Sequence, residues 1–285
     1  IVTVNLVVDP LPLKLPFYPQ LEQCETVAPL GIETFDLNTR LTTILLGQTG
    51  VGVTFYPSLT DATNNTNVIT TPSAYTNTQA YALTLGIRLT NTATGCYVIS
   101  TMDLIVNPKP NIDTNEDGHD NKLVCSNLPS FFVELNARIT DGTPTTNYSY
   151  EWKKDGVILN SETNSTLNVN SNGTYLIAVS TPSGCSRTRT IQVTASDIAT
   201  INSITIVDLT DNNSVTINAS GKGIYEYSLD APVGPFQTSN LFENVAAGIH
   251  DLYVIDTNGC GTITETVAVI GVPKFFTPNG DGFND

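Results

Sequence analysis

Charge is scarce in this 285-residue chain, at 14% of residues, and its balance is one-sided: 12 basic against 27 acidic side chains, a formal charge of −15. A chain so poor in Lys and Arg lacks the basic patch that holds nucleic acid or anionic lipid, so neither is an expected partner. Only two histidines occur, His119 and His250, and no HExxH, GxSxG, Walker loop or Cys–His arrangement accompanies them. Triad chemistry lacks its parts, and His250 reads as a partly exposed strand residue. Paired carboxylates across strands remain conceivable as a glycosidase-like site, but no spacing favours them. No apolar run approaches the roughly 20 residues of a membrane span. The sequence opens at Ile1 without the basic and apolar regions of a signal peptide, the expectation for a fragment or processed product.

Hydrophobic residues at 40%, with abundant Thr, Asn, Ser and Val, suit half-buried strands joined by polar turns. The length accommodates two or three domains with cores of their own. Three segments repeat one pattern: an apolar strand, a polar turn ending in Gly-Cys, and a second alternating strand. The turns are TNTATGC at Cys96, STPSGC at Cys185 and DTNGC at Cys260, spaced by 89 and 75 residues. A second repeat sets the phase, because LVVDPLP from Leu6 resembles LIVNPKP from Leu104. Proline cannot donate to a ladder, so each marks a short linker after a closing strand.

The expected architecture is all-β: tandem Ig-like β-sandwich modules at 13–108, 109–197 and 198–271. Residues 1–12 are the end of a preceding module and its linker, and a different segment occupies 272–285. Trp152 in an alternating strand, with Gly173-x-Tyr175 opening a later one, is an Ig-like arrangement. Ile177 stands where an antibody domain has its cysteine. At most one short helix is expected, over residues 38–46 of the first module, capped by Asp36 or Asn38 and ended by Gly47.

The five cysteines form no CxxC pair, which disfavours zinc or thioredoxin-like redox chemistry and suits disulfides in an oxidising compartment. Pairing within modules would join Cys24 to Cys96 and Cys125 to Cys185, leaving Cys260 unpaired. The segment NIDTNEDGHDN places Asp113, Asn115 and Asp117 ahead of Gly118, the first half of an oxygen-rich calcium loop. Val124 stands where an EF-hand has its bidentate Glu, so a complete EF-hand is excluded. Two readings remain: a solvated Asx-rich linker turn, or a calcium site completed by Asp120 or another strand. Calcium is the one cofactor these residues suggest.

The last fourteen residues, VPKFFTPNGDGFND, resemble the opening of the type B C-terminal sorting domain of the Bacteroidetes type IX secretion system. The matching positions are Pro273, Phe275, Phe276, Thr277, Pro278, Asn279, Gly280, Asp281, Gly282, Asn284 and Asp285. Segments CETVAPLGIETFDL from Cys24 and YEYSLDAPVGPFQTSNLFENVAAGIHDLYVIDTNGC from Tyr225 are similar to the repeats of flavobacterial surface proteins and gliding adhesins. The resemblance implies a secreted protein at the bacterial cell surface, with the type IX translocon and outer-membrane attachment proteins as partners. It further implies a non-enzymatic adhesin or stalk with a surface or glycan ligand. The alternative is the C-terminal appendage of a secreted polysaccharide- or protein-degrading hydrolase, which would look the same over these residues. A carbohydrate-binding module is a third possibility, but no clustered exposed aromatics favour it.

Overall fold

In a computed structural model the described residues are 8–26 and 30–271. The sorting-signal motif and the closing strand expected before residue 8 lie outside them. Strands dominate, and the chain divides into two compact units.

The first unit takes the described residues up to Ile112, with Ile139–Ser149 and Val179–Arg187. Its centre is a four-stranded sheet in the order Tyr18–Cys24, Tyr97–Asn107, Ala82–Asn91, Val51–Tyr56. Tyr18–Cys24 runs parallel to Tyr97–Asn107, whereas the other neighbours are antiparallel. Alternation puts Leu85, Ile87 and Leu89 on one face with Met102, Leu104 and Val106. A helical segment and a two-stranded ribbon, Thr34–Phe35 with Tyr75–Thr76, add Phe35, Leu37 and Ile44 to that core.

The expected helix is present as a 3-10 turn, Leu37–Arg40, continuing into the α-helix Leu41–Leu45. Asp36, rather than Asn38, is the cap: its carboxylate accepts the Asn38 N–H at 3.0 Å. The end is set by left-handed Leu46 and Gly47. A further helix, Leu59–Asn64, exceeds the one expected. It begins at Ser58, whose Oγ accepts the Asp61 N–H at 3.0 Å, and it lies over Gly86 on the other face of the sheet. Any Cβ at Gly86 would stand 2.4 Å from the Ser58 carbonyl oxygen and 2.7 Å from the Ala62 Cβ. The missing side chain is what seats this helix.

The second unit holds Asp113–Arg138, Tyr150–Ala178 and the described residues from Thr188 onward. One sheet has the order Val157–Ile158, Ser149–Lys154, Gly173–Ser180, Ser186–Ser196, Lys122–Cys125. Its last two strands are again parallel, with Cys125 opposite Ser196. A ribbon of Val133–Asn136 with Thr166–Val169 contributes Leu135 and Leu167 to the buried residues. Trp152 is fully buried, its indole N–H donating to the Asn164 carbonyl at 2.9 Å. The Tyr175 hydroxyl reaches back to the Ser171 carbonyl at 3.0 Å, the tyrosine corner of Ig-like domains, and buried Ile177 fills the antibody cysteine's place.

The remaining residues form two three-stranded sheets: Thr200–Val207, Ser214–Ser220, Leu241–Glu243, and Tyr225–Leu229, Gly248–Asp256, Gly261–Val269. Val215, Ile217, Tyr227, Leu252 and Val254 lie in their common core. These sheets make the chain an all-β protein of tandem Ig-like modules.

Candidate functional site

Among the described residues, two disulfides and a buried ionic centre stand out as built features. The bonds are Cys24–Cys185 and Cys125–Cys260, each with 5.5 Å between Cα atoms, and the free thiol is Cys96. Pairing within modules is therefore wrong: Cys96 does not bond Cys24, Cys125 does not bond Cys185, and Cys260 is not the thiol left over.

Strand register gives the reason. Parallel pairing sets Cys24 opposite Asn107, the last residue of an eleven-residue strand, while Cys96 precedes the first residue of that strand. At about 3.3 Å per residue the two are separated by roughly 35 Å, against the 4.4–6.8 Å a disulfide tolerates. Cys125, opposite Ser196, stands in the same relation to Cys185, which precedes the eleven-residue strand Ser186–Ser196. Each first-strand cysteine instead bonds the turn cysteine of the next Gly-Cys hairpin.

Those hairpin turns are braced from within. Thr181 donates its N–H to the Cys185 carbonyl at 2.9 Å and accepts the Cys185 N–H on Oγ1 at 3.2 Å. Asp256, 1% exposed, accepts the Cys260 N–H at 3.1 Å, the Ile224 N–H at 3.2 Å and the Ser196 hydroxyl at 2.8 Å. Burial pushes the Asp256 carboxyl up, but these donors outweigh it and hold it below the usual carboxylate range.

The calcium candidates do not converge. Asp113 binds the Arg189 guanidinium at 2.8 Å and the His119 Nε2 at 3.0 Å. Asn115 is spent on the protein: its Oδ1 accepts the Asp120 N–H at 2.8 Å and its Nδ2 donates to the Thr190 carbonyl at 2.9 Å. Asp117 hydrogen-bonds the His119 Nδ1. Asp120, the ligand expected to complete the set, holds Arg189 Nη2, Arg138 Nε at 3.2 Å and Lys122 Nζ at 2.5 Å. Among the described residues no group of three or more His, Cys, Asp or Glu could hold a metal. Arg189, fully buried, occupies the cation position, and the loop does not fit calcium.

Burial raises the Asp120 carboxyl, yet hydrogen bonds and charge from Lys122 and Arg138 win and hold it far below the ordinary range. The sequence signal for this centre lies in RTRTIQV, where Arg189 shares its alternation phase with buried Ile191 and Val193. An arginine in core phase demands buried carboxylates. His250 behaves as a structural residue, with Nδ1 2.6 Å from Asp230 and Nε2 2.8 Å from the Ala246 carbonyl. Two acceptors on one ring favour the imidazolium, and the pKa of His250 is raised accordingly, the Asp230 hydrogen bond being the largest cause.

Residues 20–110 match the Flavobacterium inter-domain disulphide bond domain family. The match marks a Bacteroidetes protein. It covers about a third of the chain and contains Cys24, whose partner Cys185 lies outside it, so this bond does leave the matched domain. No curated protein matches the sequence. Among solved structures, Sidekick-1 immunoglobulin domains 1–4 are 15% identical over 89% of this chain and 74% of that one, with a TM-score of 0.40. Titin domains I67–I69 are 11% identical over 79% and 89%, with a TM-score of 0.42. The N-terminal four Ig domains of Dscam1 isoform 9.44 are 16% identical over 66% and 55%, with a TM-score of 0.35, so the chain spans about half of that fragment. Superpositions this loose carry no argument about function, and the fold assignment stands on the sheets themselves.

Proposed function

We propose that the chain is a non-enzymatic stalk or adhesin segment of a bacterial surface protein, exported by the type IX secretion system. The observation that carries this reading is the interleaving of the two disulfides, Cys24 with Cys185 and Cys125 with Cys260. Disulfides belong to an oxidising compartment outside the cytosol. Interleaved, they give tension a covalent route past most of the folded chain, a property suited to a surface protein under shear.

Other features support the same reading. The inter-domain disulphide family match points to Bacteroidetes, and the resemblance of Pro273–Asp285 to a type B sorting signal supplies the export route. The translocon, outer-membrane attachment proteins and a surface or glycan ligand are the partners this reading implies.

The test is made in a producing bacterium with the full-length protein. Antibodies to residues 198–271 should label intact cells, and removing the chain after residue 271 should abolish that labelling and cell attachment together. Labelling that survives the removal contradicts type IX export through this signal, and attachment unchanged in a strain lacking the protein contradicts adhesion.

A further inference from the structure

We propose that a cavity of the first unit, lined by Glu25, Tyr81, Lys109, Asn111, Asp141 and Arg187, binds one acidic sugar residue, a uronic acid, of a surface polysaccharide. The proposal names a ligand class for the adhesin reading and rests on that reading for its use, while the site itself stands on its geometry.

These residues all belong to the first compact unit and surround a volume of about 330 Å³. That is the scale of a small-molecule site. The Cys24–Cys185 bond helps to build it. Glu25 follows one bonded cysteine and Arg187 stands shortly after the other, so the bridge that sets their Cα atoms 5.5 Å apart also keeps Glu25 and Arg187 on one cavity. Lys109 and Asn111 come from the proline-marked segment after Tyr97–Asn107, and Asp141 from Ile139–Ser149.

The cavity holds polar capacity that the protein leaves unused. Among the described residues, the Lys109 ammonium, the Arg187 guanidinium, the Asn111 amide and the Tyr81 hydroxyl make no hydrogen bond or ion pair. In a chain with 12 basic against 27 acidic side chains, two uncommitted cations on one cavity point to an anion that completes them. The carboxylates are committed by contrast. Glu25, 1% exposed, accepts the Gly31 N–H at 3.1 Å, and Asp141 accepts the Thr143 N–H at 3.0 Å. The surplus is therefore of donors, which suits a ligand rich in acceptor oxygens, and the carboxylates retain lone pairs for ligand hydroxyls. Their charge repels a polyanion such as phosphate. One carboxylate among several hydroxyls is the chemistry that matches both halves of the site.

Tyr81 supplies a face on which the apolar side of a sugar ring can stack. Its backbone is left-handed, with φ +67°, an uncommon conformation for a bulky residue. The Gly31 carbonyl accepts the Tyr81 N–H at 2.9 Å and the Tyr81 carbonyl accepts the Val106 N–H at 2.8 Å, fixing that conformation. The ring lies against Gly31, where a Cβ would stand 2.8 Å from ring atoms Cγ and Cδ1, yet Tyr81 remains 41% exposed. Strain of this kind, kept where an exposed ring borders a cavity, marks a binding residue. One ring serves one sugar, so the site needs no cluster of exposed aromatics.

The test is calorimetric titration of the purified, disulfide-bonded chain with methyl glucuronide and methyl galacturonide, each against its neutral glycoside, and with inorganic sulfate and glutamate. At least one uronide should bind saturably at one site per chain, more weakly as salt rises, and about tenfold or more tighter than every comparison compound. Arg187→Gln and Lys109→Gln should each weaken it roughly tenfold with the melting curve unchanged. Tyr81→Gly removes the ring and relieves the left-handed backbone, so it should abolish binding while the circular dichroism of the fold persists. No saturable binding of either uronide, equal binding of the neutral glycosides, tighter binding of sulfate or glutamate, or full affinity in Arg187→Gln and Lys109→Gln would overturn the site. That failure leaves the adhesin reading to its own cell-attachment test, whereas attachment unchanged without the protein removes the adhesin reading and leaves a measured uronide site standing.

Discussion

Cys24 lies opposite Asn107 in parallel register, a full strand's length from Cys96, and bonds Cys185 instead. The geometry makes a mechanical prediction. Reduced, the chain between Cys24 and Cys260 can extend over about 236 residues, or about 830 Å at ~3.5 Å per residue. Oxidised, the shortest covalent route is the stretch of about 60 residues between Cys125 and Cys185 plus two bridges, about 210 Å. Single-molecule pulling from residues 20 and 265 should show this roughly fourfold gain on adding reductant. Equal extension before and after would contradict interleaving.

Each staple also constrains the unfolded chain. Loops closed by sequence separations of 161 and 135 residues correspond to stabilisation on the order of 5 kcal/mol apiece in the chain-entropy account. Because the loops overlap, the second bond adds less than the first. Replacing Cys125 and Cys260 together by Ser should lower the melting temperature markedly while the Cys24–Cys185 bond persists. Calorimetry of that variant checks it.

The Arg189 centre predicts a severe single-site effect. Asp120→Asn removes one of the two carboxylates that hold the fully buried Arg189 guanidinium, leaving Asp113, and should cost about 3 kcal/mol in denaturant unfolding. The pH dependence follows from the sign of the shift. A carboxyl held below its unfolded value stabilises the fold above about pH 4 and loses that contribution as pH falls toward the folded value. The wild type should therefore lose stability below pH 4 more steeply than Asp120→Asn. Calcium, finding its place filled by Arg189, should leave the melting temperature unchanged.

His250 has the opposite sign. Its pKa is raised, so its contribution is complete below about 6.5 and lost as pH rises through the folded value. NMR titration should place His250 above the ordinary histidine range, and Asp230→Asn should lower it.

Gly86 offers a packing test. Gly86→Ala drives a methyl against the Ser58 carbonyl and should destabilise the first sheet by about 1–3 kcal/mol, displacing helix Leu59–Asn64. Chemical denaturation and amide exchange in residues 58–65 would read it.

Much of the architecture is legible in the residues. Alternation around Trp152 and Tyr175 announces the Ig-like core, Asp36 and Gly47 bracket the first helix, and the Gly-Cys turns announce the repeat. The pairing of those cysteines is not legible, because it depends on the parallel register between first and last strands, a long-range property that no local pattern encodes. Helix Leu59–Asn64 depends similarly on the space above Gly86. The Asp113-x-Asn115-x-Asp117 turn is legible as oxygen-rich. Its cation is not, since Arg189 lies 69 residues beyond Asp120.

Disulfide mapping of the purified chain is the most direct test of the central claim. Non-reducing digestion should yield linked peptides containing Cys24 with Cys185 and Cys125 with Cys260. Peptides linking Cys24 to Cys96 and Cys125 to Cys185 would contradict it, and with it the covalent route on which the stalk reading rests.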